Sequence, residues 1–147
     1  MGRAEMLARR AELRSAIAPH RAEVVLVTGP PCSGKSTYVS THAQHGDVVI
    51  DYDALAVALG SRHSHDHPEA LRPVILAAWL AALTEAQASM QRVWVIRGFP
   101  EPRDLAAAFR VVRLDVPAEE CKRRAESERP DSWPDLIDEW WARYGPA

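Results

Sequence analysis

The sequence predicts an α/β domain in which helices cover both faces of a short parallel sheet. Four short apolar runs alternate with helical segments, which is the order that a parallel sheet requires. The first apolar run leads directly into a glycine-rich turn and then a helix. The 147 residues are 47% hydrophobic and 26% charged, an ordinary composition for a single three-layer core. We therefore expect one domain over residues 1–147, with residues 1–20 as a helical N-terminal extension.

Periodicity and helix-ending residues set the expected elements. Strands are predicted at Val24–Thr28, Val48–Asp51, Val93–Ile96 and Val111–Asp115. Helices are predicted at Gly2–Ile17, Lys35–Gln44, Asp53–Leu59, Pro68–Met90, Arg103–Phe109, Ala118–Glu126 and Pro134–Tyr144. Gly46 and Gly60 end the second and third helices, and Pro117 opens the sixth. Pro73 places the true start of the fourth helix nearer Arg72. The first helix is amphipathic, and we favour packing on the domain over a lid or a partner-binding helix.

Residues 29–36 read Gly-Pro-Pro-Cys-Ser-Gly-Lys-Ser, which is the G-x-x-x-x-G-K-S pattern of a phosphate-binding P-loop. The pattern lies between the first strand and a helix, the context that this loop requires. Lys35 would reach the β- and γ-phosphates, and Ser36 would ligate Mg²⁺. A glycine turn with an incidental lysine is the alternative. We expect a nucleoside triphosphate to bind at Gly29, Pro30, Pro31, Cys32, Ser33, Gly34, Lys35, Ser36 and Thr37.

Two aspartates, Asp51 and Asp53, end the second strand. Ligands of parallel sheets gather at the carboxyl ends of the strands, and carboxylates two residues apart on an extended segment point the same way. We expect Asp51 to help hold Mg²⁺, through water. We expect Asp53 to orient and deprotonate an acceptor hydroxyl for attack on the γ-phosphate. The alternative is that one of the two only caps the following helix.

The third strand ends in Arg97. ATPases of the motor or switch type place a metal-binding aspartate there, so its absence favours an alcohol acceptor over an activated water. We expect Arg97 to clamp the acceptor's phosphate or the γ-phosphate. A salt bridge to Asp51 or Asp53 is the alternative.

The densest basic stretch is Cys121–Arg129. We expect Arg124 and Arg129 to fold over the triphosphate and to stabilise the charge that develops during phosphoryl transfer. The alternative is a solvated helix face with Glu120–Arg124 and Arg124–Glu128 pairs.

Histidines and tryptophans form two further groups. His63, His65 and His67 lack the spacing of a metal site, and an acceptor-facing loop is favoured for them. Trp140 and Trp141 are adjacent on the last helix, so both cannot face the core. Packing is favoured over base stacking for these tryptophans.

Charge and hydropathy exclude several classes of protein. A net charge of −2 argues against a coat protein for nucleic acid, although not against a local basic patch. The longest apolar stretch, Val74–Leu83, is too short to cross a bilayer, and residues 1–20 have no apolar signal-peptide core. Cys32 and Cys121 fit neither a disulfide pair nor a zinc site. We expect a cytoplasmic protein with no membrane contact and no obligate protein partner.

The order of these motifs resembles the P-loop kinases, in particular the kinase module of phage-type polynucleotide 5′-hydroxyl kinases. More broadly it resembles the small AAA and zeta-toxin-like P-loop kinases. The similarity covers Val24–Tyr144, and the Asp-x-Asp of the second strand is similar to that of shikimate and gluconate kinases. The resemblance implies that Asp53 is the general base and that the arginines after Pro117 belong to a lid. It also implies ATP and Mg²⁺ as cofactors.

One departure from these kinases affects the acceptor side. Polynucleotide kinases place an arginine three residues after the base to hold the acceptor's phosphate, and this chain has Ala56 there. Arg62 and Arg97 are the candidates to replace it as substrate ligands. The expected function is Mg²⁺-dependent transfer of the γ-phosphate of ATP to a hydroxyl, favoured as a polynucleotide 5′-hydroxyl or a nucleoside-like group. A small-metabolite or nucleotide kinase is the first alternative, and an ATP-gated binding module or ATPase is the second.

Overall fold

The computed structural model describes residues 2–16, 23–63, 67–89, 92–128 and 133–146. The strands are β1 Val24–Thr28, β2 Val48–Asp51, β3 Val93–Ile96 and β4 Arg110–Arg113. The helices are α1 Arg3–Ala16, α2 Lys35–His42, α3 Tyr52–Ala58, α4 Arg72–Ala88, α5 Pro102–Ala107, α6 Ala118–Glu128 and α7 Trp133–Tyr144. The strands are parallel and form one sheet in the order β2-β3-β1-β4.

Strand β1 lies in the interior of the sheet, and all five of its residues are buried. Successive side chains of a strand point to opposite faces. Leu26 therefore packs with Trp79 of α4 on one face, whereas Val27 packs with Val39 of α2 on the other. Fully burying one such aliphatic side chain stabilises the fold by about 1.5–3 kcal/mol. The predicted three-layer α/β architecture, with a short parallel sheet and helices on both faces, is confirmed.

Helix boundaries differ slightly from the predicted ones. Helix α4 begins at Arg72, as its proline predicts, and a short 3-10 helix at Glu69–Leu71 precedes it. Helix α3 begins at Tyr52 because the side chain of Asp51 caps it. Helix α2 ends at His42, earlier than expected, because Ala43 already has an extended backbone conformation.

Helices α6 and α7 pack against each other beside the phosphate loop. Cys121 and Ala125 of α6 form a buried cluster with Ile137 of α7, and Cys32 of the loop packs against this cluster. An ion pair of 2.8 Å between Lys122 and the exposed Asp138 joins the two helices at the surface. The basic helix is therefore held next to the phosphate loop by apolar packing.

The start of α1, up to residue 9, is exposed and does not show the expected packing on the domain. Residues 2–9 are all exposed, and the side chains of Met6 and Leu7 are more than half accessible to solvent. Residues 17–20 of the predicted extension lie outside the described residues. Among the helices that the structure describes, none has the length and apolar character needed to span a membrane.

The two adjacent tryptophans of α7 have different environments. Trp140 is 1% exposed, and its indole N–H donates to the Gly98 carbonyl oxygen at 2.7 Å. Trp141 is partly exposed, and its buried indole nitrogen has no partner among the described residues. The expectation that only one of them can face the core agrees with this difference. Gly98 follows β3, so the Trp140 hydrogen bond ties α7 to the functional edge of the sheet.

We expect Trp140→Phe to lower the free energy of unfolding by about 1–3 kcal/mol, because it removes a buried hydrogen bond together with packing volume. Trp141→Phe is the matched control, and it removes a buried N–H group that has no acceptor. We expect that variant to stay within about 1 kcal/mol of wild type. Urea unfolding monitored by circular dichroism measures both changes. Equal losses in the two variants would contradict the assigned role of the Trp140 hydrogen bond.

Candidate active site

The phosphate loop has a backbone conformation that its glycines permit. A Cβ atom on Gly29 would lie 2.5 Å from Ser33 Oγ and 3.0 Å from the Leu114 carbonyl oxygen, so a larger residue would displace its surroundings. Gly34 has a left-handed φ of 89°, and Cys32 has a φ of 63°. Left-handed residues in a tight loop are typical of anion-binding backbone nests. The local sequence therefore favours a loop that receives an anion.

Lys35 is the buried cation of this loop. Its Nζ donates to the carbonyl oxygens of Gly29 and Pro30, both at 3.0 Å. Burial lowers the pKa of Lys35 to about 8. Ser33 Oγ is also buried, and none of the described residues is its hydrogen-bond partner. A buried cation facing neutral oxygens and an unpartnered hydroxyl both fit the phosphates of a nucleoside triphosphate.

Asp51 caps helix α3. Its Oδ1 accepts from the backbone N–H groups of Asp53 at 3.0 Å and Ala54 at 3.4 Å. Burial raises the pKa of the Asp51 carboxyl. The helix-cap alternative therefore applies to Asp51, and its carboxylate still borders the same cleft as Ser36. Its role as a metal ligand stays a prediction, and oxygen ligands of this kind suit Mg²⁺.

Asp53 does not act as the cap, and its side chain is 52% exposed. Its Oδ1 lies 2.7 Å from His67 Nε2. The sequence analysis did not link Asp53 to His67. It grouped His67 with His63 and His65, and no local signal connects it to Asp53. His65 lies outside the described residues.

Arg97 has partners that the sequence did not predict. Its guanidinium lies 3.3 Å from the carboxylate of Asp104 and 3.5 Å from that of Glu101, and it stacks over the Trp79 ring. The expected alternative, a salt bridge to Asp51 or Asp53, is therefore wrong. The physical reason is that α5 brings the carboxylate of Asp104 next to Arg97. This carboxylate is 2% exposed, and a buried carboxylate requires a nearby cation.

The basic helix places Arg124 against the phosphate loop. Its guanidinium donates to the Cys32 carbonyl oxygen at 3.1 Å and to Glu120 at 3.1 Å. The Glu120 pair is the helix-face alternative, and here it coexists with the loop contact. Arg129 lies outside the described residues. Arg62 is exposed and does not line the cleft.

A single cleft of about 1210 Å³ brings most of these groups together. Ile96 pairs with Val27 on one side and with Asp51 on the other, so the strand ends lie level at this edge. The cleft also contains Arg72 at the start of α4, which the sequence analysis identified only as a helix boundary. The predicted site residues that line it are Pro31, Cys32, Ser33, Gly34, Lys35, Ser36, Thr37, Asp51, Asp53, Arg97 and Arg124, and His67 lines it as well.

Comparison with known proteins assigns a family to this arrangement. A family model described as an AAA domain matches residues 24–98, which is just over half of the chain. The chain belongs to this family. The match includes the phosphate loop, Asp51 of β2, Asp53 of α3 and the end of β3, and it ends before the basic helix. No curated protein matches the chain.

Solved structures share the fold of this AAA-family chain at low sequence identity. A chain of the "Pnkp1/Rnl/Hen1 RNA repair complex" aligns with a TM-score of 0.69 and 17% identity over 86% of this chain and 45% of its own. A chain of a second Pnkp1/Rnl/Hen1 complex gives 0.59 and 18% over 76% and 42%. A sugar kinase from Janibacter sp. HTCC2649 gives 0.55 and 18% over 86% and 79%.

The AAA-family chain thus spans less than half of the two repair-complex chains. At these identities the similarity shows the fold, which is that of a small P-loop kinase-like domain. The predicted resemblance to P-loop kinases is confirmed at that level.

Triphosphate binding should weaken at alkaline pH, because Lys35 loses its charge as pH rises through its lowered pKa of about 8. Binding requires the protonated amine, so the affinity of the free protein should fall by up to about tenfold per pH unit above that value. Titration of a fluorescent ATP analogue in EDTA between pH 6.5 and 9.5 measures this dependence. The Lys35→Gln variant is the control and should bind weakly at every pH. A flat wild-type profile would contradict the assignment.

Proposed function

We propose that this chain is a Mg²⁺-dependent phosphotransferase that moves the γ-phosphate of ATP to a hydroxyl acceptor. The favoured acceptor is a polynucleotide 5′-hydroxyl or a nucleoside-like group. The observation that carries the proposal is the meeting of Lys35, Asp53 and Arg124 in one cleft at the carboxyl ends of the strands. Phosphoryl transfer depends mainly on such positioning and on charge stabilisation.

The nucleotide side of the proposed site is built from the phosphate loop and α6. Residues 29–37 would hold the triphosphate, with Lys35 as the buried cation. Ser36 and Asp51 would hold Mg²⁺, which supplies charge neutralisation at the β- and γ-phosphates. Arg124, already in contact with the loop carbonyl of Cys32, would place a second positive charge at the transferring phosphate.

Asp53 is the proposed acceptor base, and it lines the same cleft as Lys35. In the proposed reaction the acceptor oxygen bonds to the γ-phosphorus while the bond from that phosphorus to the departing ADP oxygen breaks. Asp53 takes the hydroxyl proton during this exchange. Half of its side chain is accessible to solvent, which gives the proton a route to water after transfer.

Arg72 is the best candidate for an acceptor-phosphate ligand. Ala56 occupies the position at which polynucleotide kinases have an arginine, and it is completely buried. Arg97 is already paired with Asp104. Arg72 lines the cleft, and its guanidinium has no hydrogen-bond or ion-pair partner among the described residues. An exposed, uncommitted arginine suits a phosphate of the acceptor.

The nature of the acceptor has a second candidate. The similarity to a chain of an RNA repair complex supports a nucleic-acid end. The similarity to a sugar kinase supports a small metabolite instead, since that match covers most of both chains. The exposed apolar residues of α1 suit a surface that binds a partner. An ATP-gated binding module is therefore a further alternative that the tests below address.

The Asp53→Asn variant should lower turnover by about 10²–10⁴ while ATP affinity stays near that of wild type, because it removes the base without removing a phosphate ligand. Asp51→Asn is the matched comparison, since asparagine caps a helix as well as aspartate does. It should weaken Mg²⁺ dependence more than it lowers turnover at saturating Mg²⁺. Larger damage to turnover from Asp51→Asn would mean that the two roles are reversed.

A panel of acceptors tests the substrate class. We expect γ-labelled ATP to label a 5′-hydroxyl oligonucleotide better than a nucleoside, a nucleoside monophosphate or a sugar. Contacts to several phosphates should make oligonucleotide affinity fall steeply between low and physiological salt, and Arg72→Gln should reduce that salt dependence. Labelling of a free metabolite alone would reject the nucleic-acid acceptor and keep the kinase. Hydrolysis that no acceptor changes would favour an ATPase or binding module.

A further inference from the structure

The segment between α3 and α4 carries a continuous chain of hydrogen bonds that ends on Asp53. Ser61 Oγ lies 2.8 Å from His67 Nδ1, and His67 Nε2 lies 2.7 Å from Asp53 Oδ1. Ser61 Oγ also lies 3.0 Å from the His63 carbonyl oxygen, to which it can only donate. Ser61 is 5% exposed, and the His67 side chain is 11% exposed. The chain is therefore largely shielded from water up to the carboxylate.

The donors in this chain can be arranged in two ways. If Ser61 donates to the His63 carbonyl oxygen, it accepts from Nδ1–H of His67, and Nε2 also carries a proton only when the ring is the doubly protonated imidazolium. If Ser61 instead donates to Nδ1, the remaining ring proton lies on Nε2. An ionised carboxylate only accepts hydrogen bonds. A hydrogen bond to the ionised Asp53 therefore requires a proton on Nε2, carried by the imidazolium in the first arrangement and by the neutral ring in the second.

We infer that His67 is a positioning residue for Asp53, which it holds through Nε2 with its ring oriented by Ser61. This inference rests on the proposed function of Asp53 as the acceptor base. Donation to Oδ1 fixes the rotation of the carboxylate and leaves Oδ2 for the acceptor hydroxyl. A base held in this way spends more time in the geometry needed for attack.

The surroundings of His67 support a dedicated role. Its ring lies 6.0 Å from the Tyr52 ring and lines the cleft that contains the phosphate loop. It lies 14 positions after Asp53 in the chain, so the contact is tertiary and is not a local turn. His63, on the same loop, contributes its backbone carbonyl to this chain, and the residue does not line the cleft.

We expect His67→Ala to lower kcat by about 10- to 100-fold, the range for outer residues that orient a reactive group, with little change in the KM for ATP. His67→Gln should recover part of kcat, because its amide can donate from near the Nε2 position. Ser61→Ala should lower kcat in the same direction by about 2- to 10-fold. His63→Ala is the matched control and should keep the wild-type kcat. Unchanged kcat in His67→Ala, or His67→Gln as poor as His67→Ala, would overturn the inference.

A double-mutant cycle separates positioning from mere support of the loop. If His67 acts through Asp53, adding His67→Ala to Asp53→Asn should cost little further activity. A full additional loss in that background would overturn the inference, since it would show that His67 acts independently of the base. Thermal unfolding of each variant checks that the proteins remain folded.

A spectroscopic readout tests the contact without any turnover. Side-chain ¹⁵N–¹H spectra should show a slowly exchanging Nε2–H signal of His67, identified by its loss in His67→Gln. Asp53→Asn should shift this signal, whereas Asp51→Asn should leave it nearly unchanged. The absence of a protected signal between pH 6 and 8 would overturn the inference. If wild-type protein labels no acceptor, the proposed function fails while this measurement still decides whether His67 holds Asp53.

Discussion

The burial of β1 between β3 and β4 is the constraint on which the rest of the structure depends. Every residue of β1 is buried, and its neighbours on both sides run parallel to it. Parallel pairing brings the carboxyl ends of all strands to one edge. The phosphate loop, the aspartates of β2 and Arg97 are consequently neighbours, although they come from distant parts of the chain. Thr28 strengthens this edge, because its hydroxyl donates to the Gly98 carbonyl oxygen at 3.2 Å.

Two arginines at this edge have different electrostatic roles. Arg97 is largely buried and balances the buried carboxylate of Asp104, so it stabilises the junction between β3 and α5. Arg124 is 41% exposed, and its partners among the described residues are the neutral Cys32 carbonyl oxygen of the phosphate loop and Glu120 on its own helix. Because a buried ion pair is costly to break, Arg97 is the less available of the two for a ligand. Arg124 remains adaptable, as its proposed role over a triphosphate requires.

The two sides of the cleft are built differently. The proposed nucleotide side is a contiguous turn held between a central strand and a helix, and its buried lysine donates to two loop carbonyl oxygens. The proposed acceptor side depends on two residues that follow α3, since His67 contacts Asp53 and Arg72 lines the cleft. Segments that join regular elements vary more freely than the elements themselves and often carry specificity. Under the proposed function, this division explains why the phosphate loop can be recognised from the fold while the acceptor cannot.

Much of the fold was predictable because its signals are local. Strand β1 and the phosphate loop form one uninterrupted stretch, so residue order alone places Lys35 and Ser36 after a buried strand. The β-branched runs and the glycines that end helices likewise act within a few residues. Element ends were the weaker part, since the Asp51 cap and the 3-10 helix before α4 depend on geometry that periodicity does not contain.

The sequence by itself determined the layer order, the phosphate loop and the pair of aspartates at the end of β2. Only the tertiary structure decided that Asp51 caps a helix while Asp53 faces the cleft, and that Arg97 pairs with Asp104. It alone joined His67 to Asp53 and, across 92 positions of the chain, Arg124 to Cys32. The physical reason is that periodicity and turn chemistry act between near neighbours in sequence. The partner of a charged side chain is instead set by which elements the sheet brings into contact.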